Sequence, residues 1–562
     1  MARFRVLFLG GLFYVLGGLL LWGQQDMRLV PLDSPVYQLL DSLSRARAMT
    51  VPPLVRPYTY VQARDYLNKV TAKGSPVSEY ARELIGALES LLEKPEQPAY
   101  PLRADFYLSP QLTGRTNTDI PALTDYGKRT SPVLLDMGAF VDGSLVSFAI
   151  DARFELKPDR WYVEDHAPAS NIYGDLSFYD VQFPFLAYGA AGGKHWQLVL
   201  GRGDLTLGPG ARSKLLVSRS PEYLDHLRFT LYWSQFTYTF AAIGFDPYIS
   251  DSELAVWPAA TSDNLGKNEL VDSKTLFIHR FDFGIFDRAT VGITEGLMWG
   301  GAYPDLRFLS PVMIMHNYYD WKPASSLFGL DLSIAPLPWV SLYGQFMFNQ
   351  IQTAYEIEKY NATSIPNATG WVAGGTGLLP LGLVIGDVGA GDLELTVEYF
   401  HTDPYLYISE NLLKTFAWRR RVLSNYKSGQ VVQLPLGFVY GPDSNVWYAR
   451  LDYRLPAWGS AGLSFEHRAL GQNSLSTPYA RGVEPAAKRT PTGIPEYGQV
   501  LGLELTAAPD VLPWLQVEAG FFGTWLQNAG HQEGLSEAGF EWSLGMQADV
   551  GGLVRWIIGM VK

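Results

Sequence analysis

The sequence predicts an all-β transmembrane barrel of about 16–18 antiparallel strands, preceded by a small N-terminal α-helical module. The main observation is an alternation of apolar and polar residues that recurs from about residue 130 to the end of the chain. In 393–399 the apolar residues all have one parity, and 447–455 and 501–507 repeat this pattern. Because successive side chains of a strand point to opposite faces, each segment has one apolar face and one polar face.

The polar faces carry charges that a dry protein core would not accept. They are Glu398, Arg450, Asp452, Arg454 and Glu504. If these residues face a water-filled lumen and the apolar parity faces lipid, the pattern is that of a membrane barrel. Aromatic residues make up 14% of the chain, which is typical of interface girdles, and a mean hydropathy of -0.01 argues against a bundle of apolar helices.

Length and turn pattern indicate how the chain is divided. At 562 residues the chain is long enough for several domains, but the alternation continues without a change in composition. We therefore assign residues 101–562 to one barrel. Short turns alternate with long polar loops such as 402–435, the asymmetry expected between the periplasmic and outer rims.

The first residues predict an export signal. Arg3 and Arg5 supply a positive start, residues 6–22 are largely apolar, and we assign 1–23 to a signal peptide. An uncleaved anchor is the alternative, because the apolar run is nearly long enough to span a membrane. An exported barrel is expected in the cell outer membrane, with lipid and the barrel-insertion machinery as partners.

Residues 26–98 predict a periplasmic module of three short helices. Ser34 and Pro35 form a reasonable helix start, and Thr59 is a candidate cap for a second helix. A third helix opens near residue 75. Its predicted apolar stripe consists of Leu84, Leu88, Leu91 and Leu92.

Composition and motifs exclude several functions. The chain has no cysteine, so it has no disulfide, thiolate metal site or cysteine nucleophile. A net charge of -12 argues against nucleic-acid binding. The 8 histidines show no metal-ligand spacing, and no nucleophile elbow is present. We therefore expect no cofactor, no metal and no catalysis.

Two stretches carry motifs with a family resemblance. The motifs are 200–202, 208–210 (Gly-Pro-Gly), 214–218, 279–281, 287–288, 291–295 and 309–311 (Leu-Ser-Pro). Their order and spacing resemble the capsule-assembly Wzi family of outer-membrane barrels. The resemblance implies a periplasmic helical bundle and an internally obstructed barrel. It also implies a role in attaching or assembling capsular polysaccharide or exopolysaccharide at the cell surface.

A charged cluster lies around these motifs. Its members considered as ligand-binding residues are Arg202, Arg212, Arg280, Asp282, Glu295 and Arg307. Arginine binds the carboxylates of acidic sugars in a bidentate manner, but the same residues could form a structural ion-pair network inside the barrel. Glu295 has the apolar parity of its strand, so we expect a bulge or strand end to turn it inward.

The loop at 402–435 is a second candidate. Tyr405 and Trp418 could stack on sugar rings, and the run Arg419, Arg420 and Arg421 suits an acidic polysaccharide. The alternative is an interface girdle with ordinary loop charges.

Three classes of function remain open. The favoured one is a non-catalytic polysaccharide anchor. The main rival is a porin or specific solute channel, and the third is an outer-membrane enzyme. An anchor should be plugged by large inward residues, for which we expect Tyr343, Phe522 and Trp514, whereas a channel should be open.

Overall fold

A computed structural model defines most of the chain. It describes residues 26–50, 54–72, 78–92, 102–121, 123, 133–145, 148–156, 178–179, 184–233, 235–256, 273–301, 306–310, 313–315, 324–351, 354–359, 367–385, 391–409, 411–424, 428–455, 458–478 and 489–561. The predicted signal peptide lies outside these residues. Among the described residues, no helix is both long and apolar enough to cross a membrane.

The N-terminal module contains the three predicted helices and one short strand. They are α1 (Pro35–Ala46), β1 (Val55–Arg56), α2 (Tyr60–Thr71) and α3 (Glu79–Leu92). The Ser34 hydroxyl accepts from the Val36 amide at 3.3 Å, and the Thr59 hydroxyl accepts from the Gln62 amide at 3.2 Å. Both residues are therefore N-caps, as predicted. Leu91 is 41% exposed, so it does not belong to the buried stripe of α3.

Most of the remaining chain forms strands. They are β2 (Leu102–Arg115), β3 (Val133–Leu145), β4 (Phe148–Leu156), β5 (Phe178–Tyr179), β6 (Leu186–Gly193), β7 (Trp196–Gly203), β8 (Thr206–Leu207), β9 (Leu224–Tyr232), β10 (Phe236–Phe245), β11 (Lys274–Ile285), β12 (Ala289–Gly300), β13 (Ala324–Leu337), β14 (Val340–Gln350), β15 (Ala368–Pro380), β16 (Asp392–Thr402), β17 (Ala417–Ser424), β18 (Ser428–Pro435), β19 (Ser444–Leu455), β20 (Gly459–Leu470), β21 (Glu496–Ala507), β22 (Leu515–Gln527) and β23 (Ser536–Asp549). Short helices are α4 (Asp251–Val256), α5 (Ala354–Lys359), α6 (Gly382–Ile385) and α7 (Val550–Val561), with 3-10 turns at Leu306–Leu309, Leu412–Lys414 and Ala529–His531.

Eighteen of these strands close into one antiparallel barrel. Strands β1, β5, β8, β17 and β18 are not part of its wall, and pairing of β2 with β23 completes the circle. The number of strands in the barrel equals the upper limit of the expected range. The chain continues past β23 as helix α7.

The alternation of burial along the strands confirms the predicted faces. In β16, outward Leu395 and Val397 are 49% and 41% exposed, whereas inward Thr396 and Glu398 are 5% and 1% exposed. The outer surface also carries aromatic rows. The ring of Tyr399 lies 5.1 Å from that of Trp371 and 4.6 Å from that of Trp447, as expected for a membrane-interface girdle. The chain is therefore a closed β-barrel whose outer face suits lipid.

The two ends of the barrel differ in their connections. Residues 286–288 and 338–339 are short turns at one end, which we call the turn rim. The described parts of the long connections 246–273 and 403–443 lie at the opposite end, which we call the loop rim. The N-terminal module sits at the turn rim, where Arg45 pairs with Glu394 at 2.6 Å.

The lumen is filled by chain rather than by large wall residues alone. We call the described parts of residues 204–223 and 405–440 the plug. Strand β8 of the plug pairs with β1 of the helical module, with Val55 opposite Leu207. Apolar plug residues form one core with the inward-facing residues of β10 to β16. The plug residues in this core include Leu205, Leu207, Leu215, Leu216, Tyr407, Phe416, Trp418 and Phe438.

The wall residues expected to fill the lumen behave differently from one another. Tyr343 faces inward and donates to the Glu398 carboxylate at 2.7 Å. Phe522 has the inward parity of β22, opposite Glu541. The expectation for Trp514 was wrong, because it lies in the turn before β22 and its ring is 6.0 Å from that of Trp556 in helix α7.

Candidate functional site

Arg280 is held in a buried ion-pair network that crosses three strands. Its guanidinium pairs with Asp282 on the same strand at 2.7 Å and with Asp331 on β13, and it donates to Thr294 at 2.9 Å. A Cβ on Gly292, which lies between them on β12, would overlap the guanidinium. Arg280 and Asp282 point into the lumen as predicted, and their charges are already satisfied within the protein.

The Gly-Pro-Gly motif lets the plug enter the lumen. Gly208 and Gly210 have φ of 101° and 119°, a region that side chains rarely adopt. A Cβ on Gly208 would also overlap the amide of Gln345. Beyond the turn, the amides of Ala211 and Arg212 donate to Glu398 at 2.7 and 2.8 Å. The two glycines therefore permit the sharp turn by which the plug enters the lumen.

Arg212 belongs to a second network, which reaches strand β20 of the barrel wall. Its Nε donates to Glu466 at 2.7 Å, and Glu466 also accepts from the Tyr440 hydroxyl. Tyr440 in turn accepts from Arg468 at 3.1 Å. The plug is thus tied to β20 by charge as well as by apolar packing.

The loop rim above β7, β9 and β10 collects arginines and aromatic rings, and we call it the mouth sector. Arg202 pairs with Asp225 at 2.7 Å and lies over the Tyr223 ring at 3.9 Å. The Tyr223 ring meets that of Trp418 edge-on at 5.4 Å, and Arg420 pairs with Glu222 at 2.8 Å. Arg202 keeps partial exposure at this rim, whereas Trp418 and Arg420 are buried.

The neighbouring arginines of β17 complete the mouth sector. Arg419 is buried and donates to Glu253 at 2.8 Å. Burial of Glu253 would raise its pKa, but its hydrogen bonds and ion pair with Arg419 hold the pKa below the ordinary value. Arg421 is half-buried, lies 3.6 Å from Asp246 and stacks over the Tyr248 ring at 4.7 Å. Arg421 is therefore the accessible member of the basic run.

The remaining predicted residues lie elsewhere. Tyr405 is buried in a small apolar cluster with Ile249 and Leu412. Glu295 keeps its outward parity opposite His279, because β12 runs without a register shift there, so the expected inward turn does not occur. Arg307 is exposed in the turn after β12. The structure thus brings together Arg202, Trp418, Arg419, Arg420 and Arg421, but not Tyr405, Glu295 or Arg307.

A cavity of about 1150 Å³ with a mixed polar and apolar lining remains beside the plug. It is larger than most small-ligand pockets, which measure roughly 300–1,000 Å³. Its lining combines hydroxyl groups with charges of both signs, including Ser218, Arg219, Glu222, Tyr343 and Thr396. Such a surface suits a hydrated, hydroxyl-rich ligand as well as water.

Several site residues could not be found from motifs. Four of them lie in loops or at strand ends, where sequence parity does not predict the direction of a side chain: Asp225, Glu222, Glu253 and Tyr248. The sequence did single out Gln345, because it is a polar residue between apolar neighbours at an inward position of β14. Among the described residues, no cluster of three or more histidine or acidic side chains could hold a metal ion.

Comparison with known proteins gives one family match. The family model described as capsule assembly protein Wzi matches residues 185–528. A search of the curated proteins found no match. Among solved structures, the chain is similar to Escherichia coli Wzi, described as an outer membrane protein involved in group 1 capsule assembly and a carbohydrate-binding β-barrel. The alignment covers 92% of this chain and 98% of that one, with 14% identity and a TM-score of 0.57. The likeness therefore concerns the fold.

Weaker likenesses are to two Pseudomonas aeruginosa proteins. OprD is 10% identical with a TM-score of 0.40, over 80% of this chain and 95% of that chain. OpdQ is 7% identical with a TM-score of 0.40, over 80% and 98%. At these scores neither likeness bears on function.

Proposed function

The chain belongs to the capsule assembly protein Wzi family, and on that premise we propose that it attaches acidic polysaccharide to the cell surface without catalysis. In this proposal the loop rim faces the outside and the N-terminal module lies in the periplasm. The observation that carries the proposal is the family match, because it spans both the plug and the mouth sector.

The filled lumen supports an anchor over the rival channel. The plug and the inward side chains of β10 to β16 form one apolar core on that side of the lumen. A solute crossing there would have to displace that core, together with the β1–β8 pairing that joins the plug to the helical module. An anchor needs only a surface that is accessible from outside.

We place the polysaccharide contact at the mouth sector. Arg202 and Arg421 retain exposed surface there, and each lies against a tyrosine ring. Guanidinium groups bind carboxylates in fixed geometry, and the partly exposed Tyr248 ring beside Arg421 offers apolar surface to a sugar. Buried Arg419 and Arg420 act as positioning residues, because their acidic partners Glu253 and Glu222 hold β17 against neighbouring loops.

The proposal is tested by binding of purified barrel to polysaccharide. Arg421→Glu is expected to weaken binding to an acidic polymer by about tenfold, the effect of roughly 1.4 kcal/mol. Arg202→Glu should act in the same direction. Binding to a neutral polymer should change little, because the variants alter charge rather than fold.

Arg489→Glu is the matched control, since Arg489 is exposed on another loop of the same rim. It should leave binding unchanged, and a heat-dependent shift in gel mobility should show that all three variants are folded. Equal losses of binding in all three variants would mean that overall charge, rather than the mouth sector, controls binding. Unchanged binding in both mouth variants would contradict the proposed site.

A further inference from the structure

Helix α7 exposes an apolar stripe at the turn rim. Val554, Ile557 and Ile558 are 49%, 48% and 51% exposed, and Met560 is 70% exposed. The spacing of 554, 557 and 558 places them on one side of the helix. An apolar stripe of this kind is unfavourable in water, so a second apolar phase is expected against it.

The other side of α7 is fixed to the barrel. The Gly551 amide donates to Asp105 of β2 at 2.8 Å, and Arg555 reaches the same carboxylate at 3.4 Å. The Trp556 indole donates to the Val511 carbonyl at 3.1 Å. The helix therefore has a defined orientation relative to the seam between the first and last strands.

Small residues make this close approach possible. A Cβ on Gly551 would overlap the Asp105 carboxylate. On Gly552 it would lie 2.7 Å from Asp549 and 3.0 Å from Trp514. The start of α7 is thus built for contact with the rim, and its polar and small residues are used up in that contact.

The exposed stripe begins beside the lipid-facing surface of the barrel. Leu102 and Phe106 flank Asp105 on β2, point outward and are 53% and 62% exposed. Trp514 and Trp556 lie side by side at the same rim, and tryptophan is enriched where a membrane meets water. The apolar side of α7 therefore lies at the same rim as outward apolar residues of β2 that suit lipid.

We propose that α7 is an in-plane membrane helix whose exposed stripe lies among the acyl chains of the phospholipid leaflet at the turn rim. An amphipathic helix with one apolar side adopts this position at an interface. Since Gly551 and Arg555 bind Asp105, lipid binding by α7 also holds the β2–β23 seam together. This inference rests on the proposed function only for the orientation of the barrel, and it does not depend on polysaccharide binding.

Site-specific labels test the proposal directly. The chain has no cysteine, so Ile558→Cys and Gly559→Cys each introduce a unique attachment point for an environment-sensitive fluorophore. Gly559 is the matched control, because it lies about 100° around the helix axis from Ile558, off the apolar stripe, and a Cβ there meets open space. Both labelled proteins are reconstituted in phospholipid vesicles, after a gel-mobility check that the barrel is folded.

The label at 558 should be quenched by lipids that carry a nitroxide on the acyl chain. Its quenching by aqueous iodide should be several-fold weaker than at 559, where the lipid nitroxide should have little effect. Equal iodide quenching at both positions would overturn the proposal. Protection of 558 from both quenchers would also overturn it, since protein rather than lipid would then cover the stripe.

Discussion

Two arginine networks in the lumen share one design but differ in their surroundings. Arg280 pairs with Asp282 two residues later and, across a glycine on β12, with Asp331 on β13. Arg450 repeats this arrangement with Asp452 at 2.8 Å and, across Gly462 on β20, with Glu504 on β21. The side chain of Arg280 is 0% exposed, whereas that of Arg450 is 27% exposed. The difference comes from the plug, which covers one side of the lumen and leaves the other wet.

The wall around each network differs accordingly. Beside Arg280, inward Leu276 and Ile278 pack on the plug. Beside Arg450, the inward residues Asp452 of β19 and Glu504 of β21 are charged and partly exposed. We call the part of the wall that packs on the plug the dry wall, and the part around Arg450 the wet wall. A charged residue in the dry wall needs a partner for its charge, because water cannot solvate it there. In the wet wall, water can take the place of the partner.

A charge placed in the dry wall should have the largest effect. We expect Ile278→Asp to destabilise the barrel by about 4 kcal/mol or more, because the carboxylate would be buried against the plug beside Arg280, whose charge Asp282 and Asp331 already compensate. Urea unfolding in detergent or lipid, followed by tryptophan fluorescence, measures the change. Ser464→Asp is the control. It faces the wet lumen opposite Arg450 and should change stability by less than about 1 kcal/mol. Similar losses in both variants would contradict the distinction between the two walls.

Removal of the two arginines compares the networks themselves. We expect Arg280→Met to cost about 3 kcal/mol, since Asp282 and Asp331 would remain buried without a cation. Arg450→Met should cost no more than about 1 kcal/mol, because water reaches Asp452 and Glu504. The same unfolding assay applies to both. Equal costs would mean that the plug does not control the solvation of the lumen.

Loosening the plug should have a smaller effect on stability and a visible effect on permeation. Glu398→Ala removes three hydrogen bonds, from Ala211, Arg212 and Tyr343, at an expected cost of about 2 kcal/mol. In planar bilayers we expect the parent barrel to be silent and this variant to show transient openings. Glu504→Ala, on the wet wall, should remain silent. A parent barrel with steady conductance would favour the channel reading instead.

Strand parity was sufficient to predict which side chains point into the lumen. It placed Arg280, Asp282, Arg450 and Asp452 in the lumen, and the structure confirms those directions. Parity cannot predict Asp331 as the partner of Arg280, because the two residues belong to strands separated by β12. It also cannot tell a dry position from a wet one, which depends on distant loops.

One local signal of the plug was nevertheless present in the sequence. Leu276, Phe277 and Ile278 are consecutive apolar residues in an otherwise alternating strand, and both faces of that strand prove to be covered. Loss of alternation therefore marks the dry wall. The mouth sector was only partly predictable, since the arginines 419–421 stand out but the burial of Arg419 and Arg420 depends on Glu253 and Glu222.

The most direct test of the account is the partition of surface polysaccharide between cells and medium, in the parent strain and in a clean deletion of this gene. We predict that the deletant sheds polymer that the parent retains. Restoring the gene should recover retention, and restoring it with Arg421→Glu should recover less. Identical partition in parent and deletant would contradict the proposal that this barrel attaches polysaccharide.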